Sequence, residues 1–339
     1  MTLTIIPNPE IIKCISSIKD GIKILKDIDI DYDNEITFQK IQSCYFYEPS
    51  IRRSKYIAAF DLDWTLTYNE KHLFAKDIDD IQILPNRREM LVNIIKNGYN
   101  LCIFTNQYAK SKSDKEKKCL RIKEFLNKIK LPIFTYIATE KDSYRKPDIG
   151  MWNLFKKEIH LEKIIFVGDA LGRPQDFSDS DLIFGRNINS FTDIYSPEDF
   201  FKPSIVPSFL PLKEIVIFVG APGSGKSSYY SKYLADHIHL EQDKIGSRPK
   251  LLKQLVKSLK TNISIVIDST NPSQENREEY YKLAIENGYS IKVLYFVRNG
   301  TGFNKLREKP VPTIAYHIFY KKLNPPTYLN TPGELFYIV

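Results

Sequence analysis

The sequence predicts an α/β protein with two doubly wound domains, each built on a mainly parallel β-sheet. Short apolar runs alternate with charged stretches of helical length, an order typical of βα units and parallel sheets. The runs form two groups on either side of residues 196–214, which contain four prolines and few helix formers. The predicted strands are Tyr56–Phe60, Asn100–Phe104, Ile133–Ala138 and Lys163–Val167, followed by Glu214–Val219, Ile263–Ile267 and Ile291–Val297.

Length and composition agree with two domains of ordinary size. The chain has 339 residues and is 42% hydrophobic, which is enough for two buried cores. We therefore expect a first domain over residues 41–203, a linker over 204–212 and a second domain over 213–339. Residues 1–40 carry no catalytic pattern and are expected to form an N-terminal appendage.

Charge and cysteine content narrow the class of protein. The 49 basic and 41 acidic residues give a net charge of +8, which suits a nucleic-acid partner but also arises from lysines on solvated surfaces. The basic cluster at 110–118 has the same two interpretations. The four cysteines form no C-x-x-C pair, and no stretch reaches the roughly 18 apolar residues of a membrane span. We expect an intracellular protein, nuclear or cytoplasmic.

Two carboxylates follow the first predicted strand directly. Asp61 and Asp63 stand at its carboxyl end, where open α/β sheets bind their ligands. Carboxylates spaced i, i+2 can act as a nucleophile and an acid in one crevice, provided that a cation reduces their repulsion. Taken alone, the D-x-D pattern favours a turn with two solvated aspartates.

Three further polar residues come at or after the ends of later predicted strands. Thr105, Lys146 and Asp169 supply a hydrogen-bond donor, a fixed positive charge and a carboxylate that can anchor a metal. Individually they can be a helix cap, a surface lysine and a turn residue. Together with the aspartate pair, and in this order, they predict a phosphoryl-transfer site.

The first group of motifs resembles the haloacid dehalogenase superfamily and, more narrowly, the phosphatase domain of polynucleotide kinase 3′-phosphatases. The matching segments are FDLDWTL, IFTNQ, YRKPDIGMW and FVGDALGRPQDFSDSD. The resemblance implies that Asp61 attacks phosphorus, and that Asp63 first protonates the leaving oxygen and then activates water. It also implies that Thr105 and Lys146 bind phosphate. The implied Mg²⁺ ligands are Asp61, the Asp63 carbonyl and Asp169.

Other residues in these segments are supporting or unusual. Asp176 and Asp181 are candidates for supporting the metal site. Trp64 stands where the superfamily usually has glycine. A large side chain here can restrict the loop or offer a stacking surface to the substrate, and because the carboxylates remain we expect activity to survive.

A glycine-rich loop follows the first strand of the second group. Gly220 to Ser227 match G-x-x-x-x-G-K-S between a predicted strand and a predicted helix, so main-chain N–H groups can surround phosphates. Lys226 is expected to contact the outer phosphates of ATP, and Ser227 to ligate Mg²⁺. The predicted nucleotide-binding residues are Gly220, Ala221, Pro222, Gly223, Ser224, Gly225, Lys226, Ser227 and Ser228.

The sequence gives weaker evidence for the residues that would hold the acceptor of the phosphoryl group in this second site. Asp243 can take a proton from a hydroxyl or cap a helix, and Asp268 can bind metal or water or cap the next helix. These segments resemble the kinase half of the same family, which includes a match at Arg277. The resemblance implies that Asp243 is the general base for a 5′-hydroxyl and that Arg307 is a lid arginine, although Arg307 can also be a surface residue.

Two features depart from the kinase pattern. Gln242 stands where many relatives carry arginine, and the segment after Arg307 is short. Either difference can change how the acceptor or the nucleotide is held. About fifty residues precede the first phosphatase strand, so we do not expect the forkhead-associated module of some relatives.

Together, the motifs predict a bifunctional enzyme that heals nucleic-acid ends in strand-break repair. One site removes a 3′-phosphate through an aspartyl-phosphate, and the other transfers the γ-phosphate of ATP to a 5′-hydroxyl. Mg²⁺ and ATP are the expected cofactors. We expect a monomer that acts on DNA ends, with RNA ends as an alternative, and a ligase acting downstream.

Three other functions are compatible with parts of the pattern. One is a single-activity 3′-phosphatase whose second domain serves as a DNA-binding scaffold. Another is a module that grips broken ends without chemistry. The third is a small-molecule phosphatase fused to a metabolite kinase, which fold alone does not exclude.

Overall fold

The computed structural model describes residues 35–157, 160–202 and 207–339. The chain divides into two compact units. The first contains the residues up to Leu66, together with Asn86–Leu171 and Asp179–Phe201, and the second contains Thr67–Pro85, Gly172–Ser178 and Lys202–Val339. Most of the predicted appendage at 1–40 and part of the predicted linker at 204–212 lie outside the described residues.

Strands and helices alternate along much of the described chain. The strands are β1 (Gln39–Ile41), β2 (Cys44–Tyr47), β3 (Tyr56–Phe60), β4 (Thr67–Tyr68), β5 (Gln82–Ile83), β6 (Asn100–Asn106), β7 (Ile133–Ala138), β8 (Lys163–Val167), β9 (Thr192–Tyr195), β10 (Glu214–Gly220), β11 (Ile238–Glu241), β12 (Ile265–Asp268), β13 (Ser290–Phe296) and β14 (Glu334–Ile338). The helices are α1 (Arg87–Lys96), α2 (Lys112–Ile129), α3 (Gly150–Lys156), α4 (Ser180–Ile188), α5 (Pro197–Phe200), α6 (Lys226–Tyr233), α7 (Gln242–Ile245), α8 (Arg248–Leu259), α9 (Gln274–Glu286), α10 (Thr301–Lys305) and α11 (Thr313–Lys322).

The sheet of the first unit has the strand order β1-β2-β7-β6-β3-β8-β9. Five neighbouring strands run parallel to one another, in the order β7, β6, β3, β8 and β9. At one edge of this sheet, β2 pairs antiparallel with β7, and β1 pairs antiparallel with β2. β3 lies between β6 and β8, and its residues 57–60 are fully buried. Asp61, which follows β3, is therefore held at the carboxyl edge of an inner strand, where open α/β folds bind ligands.

The predicted α/β class with parallel sheets is confirmed. β3, β7 and β8 have the predicted limits, and β6 is two residues longer because Thr105 and Asn106 pair with Ile137 and Ala138. The sequence does not predict the β1–β2 hairpin, since β1 has only three residues and all of them are exposed, which leaves no apolar alternation to detect.

Aromatic rings fill much of the core of the first unit. Phe104, Tyr136, Trp152 and Phe155 have ring centroids 5.5–6.0 Å apart wherever they pair. Helix α3 thereby anchors the segment that carries Lys146 against β6 and β7. Truncating a buried ring of this kind, as in Trp152→Ala, destabilises a protein by about 3–5 kcal/mol.

The beginning of the proline-rich segment is part of the first unit. Ser196 caps α5 by accepting a hydrogen bond from the Asp199 N–H (3.1 Å), and proline at the first helical position is pre-organised for a helix. Phe200 and Phe201 each lie 5.9 Å from the ring of Phe60. The chain therefore leaves the first unit only after Phe201.

The sheet of the second unit is fully parallel, with the order β11-β12-β10-β13-β14. β10 lies in the middle and its residues are buried, so Gly220 emerges at the carboxyl edge. β12 begins at Ile265 rather than Ile263, because Ile263 forms an isolated antiparallel bridge with Leu212. β11 and β14 are not predicted.

The segment Thr67–Pro85 groups with the second unit although it follows Asp61 and Asp63 by only a few residues. Its strands β4 and β5 form an antiparallel ribbon. The buried Asp80 carboxylate accepts hydrogen bonds from the main-chain N–H groups of residues 70–72 at 2.7–3.1 Å, which closes the connecting loop. Leu73 then packs in an apolar cluster with Ala221, Tyr316, Phe319 and Tyr320.

In the part of the chain that the structure describes, no helix has the length and apolar character needed to cross a bilayer.

Candidate active sites

Lys146 joins two carboxylates at the carboxyl edge of the first sheet. Its Nζ donates to Asp61 Oδ1 (2.6 Å) and to Asp181 Oδ1 (2.7 Å). The main-chain N–H of Asp61 donates to the Val167 carbonyl of β8 (2.8 Å), which fixes the turn after β3. The lysine is buried, so its charge acts on these carboxylates through a medium of low polarity.

Asn106 fixes the loop that carries Lys146. Its Oδ1 accepts from the Lys146 main-chain N–H (2.9 Å), and its Nδ2 donates to the Lys146 carbonyl (3.0 Å). Asn106 is not among the predicted site residues, although it directly follows Thr105 in the polar run that ends β6.

Three carboxylates meet beside this lysine. Oxygen atoms of Asp61, Asp169 and Asp181 all lie within 4.8 Å of one another. Gly168 makes the approach of Asp181 possible, because a Cβ at residue 168 would overlap the Asp181 carboxylate. Asp181 thus joins the predicted residues Asp61 and Asp169, whereas Asp176 binds Arg173, whose Nε lies 2.9 Å from its Oδ2.

The electrostatics of this cluster favour a cation. Burial raises the pKa of Asp61 to about 7, and the nearby Asp181 adds to the rise although Lys146 opposes it. Burial also raises the pKa of Asp169 well above its usual value, with a further contribution from Asp61. Burial alone would lower the pKa of Lys146, but Asp181 and Asp61 outweigh it and raise the pKa. A set of oxygen ligands with surplus negative charge fits a hard divalent cation such as Mg²⁺.

Asp63 is held separately from this cluster. Arg121 Nη1 lies 3.0 Å from its Oδ1, and Gln107 Nε2 donates to its Oδ2 (2.7 Å). The same Gln107 amide contacts Thr105 Oγ1 (2.9 Å), so Thr105 is connected to Asp63 through it. Burial raises the pKa of Asp63, but Arg121, Gln107 and Lys118 outweigh it and lower the pKa below its usual value.

Gln107 and Arg121 are not among the site residues predicted from the sequence. Gln107 lies within the IFTNQ segment, so its position offered a signal. Arg121 lies on α2 and its side chain is only 3% exposed, and sequence patterning does not show which turn of that helix faces Asp63.

The basic cluster at 110–118 forms the start of α2. Ser111 caps the helix, Lys112 lies 3.9 Å from Glu116, and Lys115 pairs with Glu140. Lys112 and Lys115 have carboxylate partners, which favours a solvated helix face for this part of the cluster, whereas Lys118 contributes to the low pKa of Asp63.

Trp64 has an unusual backbone conformation. Its φ is 62°, in the left-handed region that favours glycine, and its side chain is half-buried. A bulky residue in this region stores about 1–2 kcal/mol of steric strain. The strain lies directly beside Asp63.

The glycine-rich loop of the second unit joins β10 to α6. Lys226 Nζ donates to the carbonyls of Gly220 (2.9 Å) and Ala221 (2.8 Å), and burial lowers its pKa to about 8. Gly223 has a φ of 72°, and a Cβ there would overlap the Gly300 carbonyl, so glycine is required for two reasons. The Tyr316 hydroxyl also stabilises the loop, because it donates a hydrogen bond to the Pro222 carbonyl (2.9 Å).

Ser227, at the end of the loop, is connected to two residues outside it. Ser227 Oγ donates to Asp268 Oδ2 (2.9 Å), which brings the start of α6 to the end of β12. His239 Nε2 lies 3.0 Å from the same oxygen. Ser227 and Asp268 are predicted from the sequence but His239 is not, because a lone histidine on a four-residue strand belongs to no motif.

The region around Asp243 is more exposed to solvent than the loop. Asp243 lies on the short helix α7 with its side chain 81% exposed, and Arg307 Nη2 is 3.9 Å from its Oδ2. Gln242 Oε1 accepts a hydrogen bond from Ser269 Oγ (3.0 Å). Arg277 is fully buried and donates to main-chain carbonyls, including that of Asn324 (2.7 Å), so it holds the fold together.

Comparison with known proteins agrees with both motif sets. Residues 56–201 match the family model described as polynucleotide kinase 3 phosphatase. The bifunctional polynucleotide phosphatase/kinase of Schizosaccharomyces pombe is 31% identical over 319 residues, covering 82% of this chain and 78% of that protein. A protein of Acanthamoeba polyphaga mimivirus is 30% identical over 308 residues, covering 71% and 72%. The polynucleotide 3′-phosphatase of Arabidopsis thaliana is 32% identical over 179 residues, covering 46% of this chain and 25% of that protein. As the motifs predicted, the chain belongs to the family of bifunctional polynucleotide phosphatase/kinases.

Proposed function

We propose that this chain heals broken nucleic-acid ends, with one site that removes a 3′-phosphate and another that phosphorylates a 5′-hydroxyl. The observation that carries the phosphatase assignment is the different surroundings of two nearby carboxylates. Asp61 is bound by Lys146 beside two other carboxylates, whereas Asp63 is held by Arg121 and Gln107. Two carboxyl groups in different environments can take two different roles.

In the phosphatase reaction, an oxygen of Asp61 bonds to phosphorus while the bond from phosphorus to the 3′-oxygen breaks. Asp63 gives its proton to the departing 3′-oxygen, and Lys146 and Thr105 bind the phosphate oxygens. Water then attacks the aspartyl-phosphate, Asp63 takes a proton from it, and free phosphate and Asp61 are released. The negative charge of a bound phosphate acts against Arg121 and favours the protonated Asp63 needed for the first step.

Mg²⁺ is the proposed cation of this site. Asp61, Asp169 and the Asp63 main-chain carbonyl would hold it, with Asp181 in support. Bound there, it would offset the negative charge of the transferring phosphoryl group. The cluster of three carboxylates and the raised pKa values of Asp61 and Asp169 support this assignment.

In the kinase reaction, residues Gly220–Ser228 bind ATP through main-chain N–H groups, Lys226 and the Mg²⁺ ligand Ser227. Asp243 takes the proton of the 5′-hydroxyl while the hydroxyl oxygen bonds to the γ-phosphorus. The bond from the γ-phosphorus to ADP breaks, and ADP leaves. Arg307 stabilises the charge that develops on the transferred group. Its position 3.9 Å from Asp243 supports a role at the same reaction centre.

The remaining assignments follow from these two reactions. We assign the phosphatase to residues 41–203, the kinase to 213–339 and the linker to 204–212. The proposed partners are DNA ends carrying a 3′-phosphate or a 5′-hydroxyl, with RNA ends as the alternative. A ligase would consume the product, and the enzyme would act as a monomer.

The phosphatase assignment is tested by trapping the intermediate. An oligonucleotide with a radiolabelled 3′-phosphate is mixed with the enzyme and Mg²⁺, quenched rapidly in acid, and the labelled peptide is identified. We expect label on Asp61 and none in Asp61→Asn. Label on another residue, or turnover without labelled protein, would contradict the assignment.

The kinase assignment is tested with radiolabelled ATP and 5′-hydroxyl oligonucleotides of DNA and of RNA. Label on the 5′-end supports the proposal and identifies the preferred nucleic acid. Removal of 3′-phosphates without labelling of any 5′-end would favour the alternative in which the second unit is only a scaffold.

A further inference from the structure

One oxygen of Asp268 receives two hydrogen bonds. Ser227 Oγ lies 2.9 Å and His239 Nε2 lies 3.0 Å from Oδ2. The Asp268 side chain is only 4% exposed, so these bonds are made away from water. Because a carboxylate can only accept, Nε2 must carry a proton and donate it.

The imidazole of His239 is held on a second side by an aromatic ring. The Tyr230 ring stacks on it with centroids 3.6 Å apart and an angle of 12° between the planes. Tyr230 is fixed in turn because its hydroxyl donates to the His237 carbonyl (3.1 Å). The stack joins α6, which begins at Lys226, to β11, which carries His239.

The other nitrogen of His239 faces the acceptor side. Nδ1 lies 3.8 Å from Glu241 Oε2, and Glu241 binds Lys244 (2.6 Å). Glu241 directly precedes Gln242 and Asp243 on α7. His239 therefore lies between the residues expected to hold metal and nucleotide and the helix expected to hold the acceptor base.

We propose that His239 is a positioning residue of the kinase site that orients Asp268 for Ser227. With Asp268 fixed, the Ser227 hydroxyl directs its proton at the carboxylate, and its oxygen lone pairs remain available to a divalent cation. Removing the histidine donor frees the carboxylate to rotate and weakens this arrangement. The proposal rests on the kinase function proposed above, and it adds a residue that is not part of the nucleotide-binding motif.

Two substitutions separate the hydrogen bond from the packing. His239→Phe keeps a ring that can stack on Tyr230 but removes the donor, whereas His239→Gln removes the ring but keeps an N–H donor at a similar distance from the backbone. His237→Gln is the matched control, because it makes the same substitution two residues away in sequence. The His237 ring packs edge-on against the Phe209 ring, with the ring centroids 6.2 Å apart.

The primary measurement is ATP affinity with Mg²⁺ and with EDTA, by calorimetry. We expect equal affinities in EDTA for wild type and His239→Phe. With Mg²⁺, His239→Phe should lose about 10-fold to 100-fold in affinity, the usual effect of removing a residue that orients a metal ligand. His239→Gln should recover most of the loss, and His237→Gln should match wild type.

Three results would each overturn the proposal. The first is an affinity of His239→Phe equal to that of wild type with Mg²⁺. The second is an equal loss of affinity of His239→Phe in EDTA, and the third is a His239→Gln variant as impaired as His239→Phe. The last two would assign the histidine to packing. Because binding is measured without transfer, wild-type enzyme that binds Mg²⁺ and ATP but labels no 5′-end would refute the kinase function while still testing His239. Phosphatase activity of each variant reports correct folding.

Discussion

The two candidate sites differ in how much of their geometry the protein itself fixes. In the phosphatase site, Lys146 is buried between Asp61 and Asp181, and both oxygens of Asp63 have partners. On the acceptor side of the kinase site, the Asp243 side chain is 81% exposed and its contact with Arg307 spans 3.9 Å. The protein itself therefore fixes the side chains of the first site more closely than it fixes the exposed side chain of Asp243.

The difference follows from the elements that carry each residue. Asp61 follows a strand whose last four residues are fully buried, and the Lys146 loop is fixed by two hydrogen bonds of the Asn106 side chain. Asp243 stands on the four-residue helix α7, which ends at Gly246 with a φ of 90°. A single helical turn gives its side chains little support.

The largest expected effect is that of Asp61→Asn on the phosphatase. Loss of a nucleophile should lower the rate of 3′-phosphate removal by at least about 10⁴-fold. Kinase activity should be retained, because the residues proposed for it belong to the second unit. Assays of both ends on one oligonucleotide measure this, with the exposed Asp148→Asn as the control. Loss of both activities would contradict the independence of the two sites.

Lys226→Ala makes the corresponding test of the second site. Removing a positive charge from the outer phosphates should lower kinase turnover by about 10²–10³-fold and leave the phosphatase intact. Lys232→Ala, an exposed change on the same helix, is the matched control. Full kinase activity in Lys226→Ala would refute the assignment of the loop.

Arg121→Met sharpens the claim that Asp63 is pre-organised. We expect phosphatase turnover to fall by about 10-fold to 100-fold, as when a residue that orients a catalytic group is lost. Formation of the phosphoenzyme should be less affected with p-nitrophenyl phosphate, whose leaving group needs no proton, than with a 3′-phosphorylated oligonucleotide. Burst kinetics measure this step. An equal loss of the rate of phosphoenzyme formation with both substrates would point to a general structural role of Arg121. Lys117→Met, on the same helix, is the control.

Much of the first site is readable from sequence because its residues follow apolar strands. Asp61, Thr105 and Asp169 lie at or next to strand ends, and parallel sheets bring such ends together. Arg121 and His239 are not readable in this way, since their partners are set by how a helix and a short edge strand pack. The placement of Thr67–Pro85 in the second unit is likewise a result of packing by Leu73, which local sequence does not encode.

The smallest expected effect concerns the strained turn in the phosphatase site. Trp64→Gly and Trp64→Ala both remove the ring, but only glycine relieves a φ of 62°. The glycine variant should therefore have a free energy of unfolding higher than the alanine variant by about 1 kcal/mol. Urea denaturation of the pair measures it, and an alanine variant of equal or greater stability would show that the turn is not strained.

The most direct measurement of the central claim uses one oligonucleotide with a 5′-hydroxyl and a 3′-phosphate, incubated with enzyme, Mg²⁺ and ATP. Mass spectrometry then follows both ends of the same molecule, first as DNA and then as RNA. We expect a product with a 5′-phosphate and a 3′-hydroxyl, and no reaction at either end in EDTA. Two unchanged ends on both nucleic acids would contradict the proposed function.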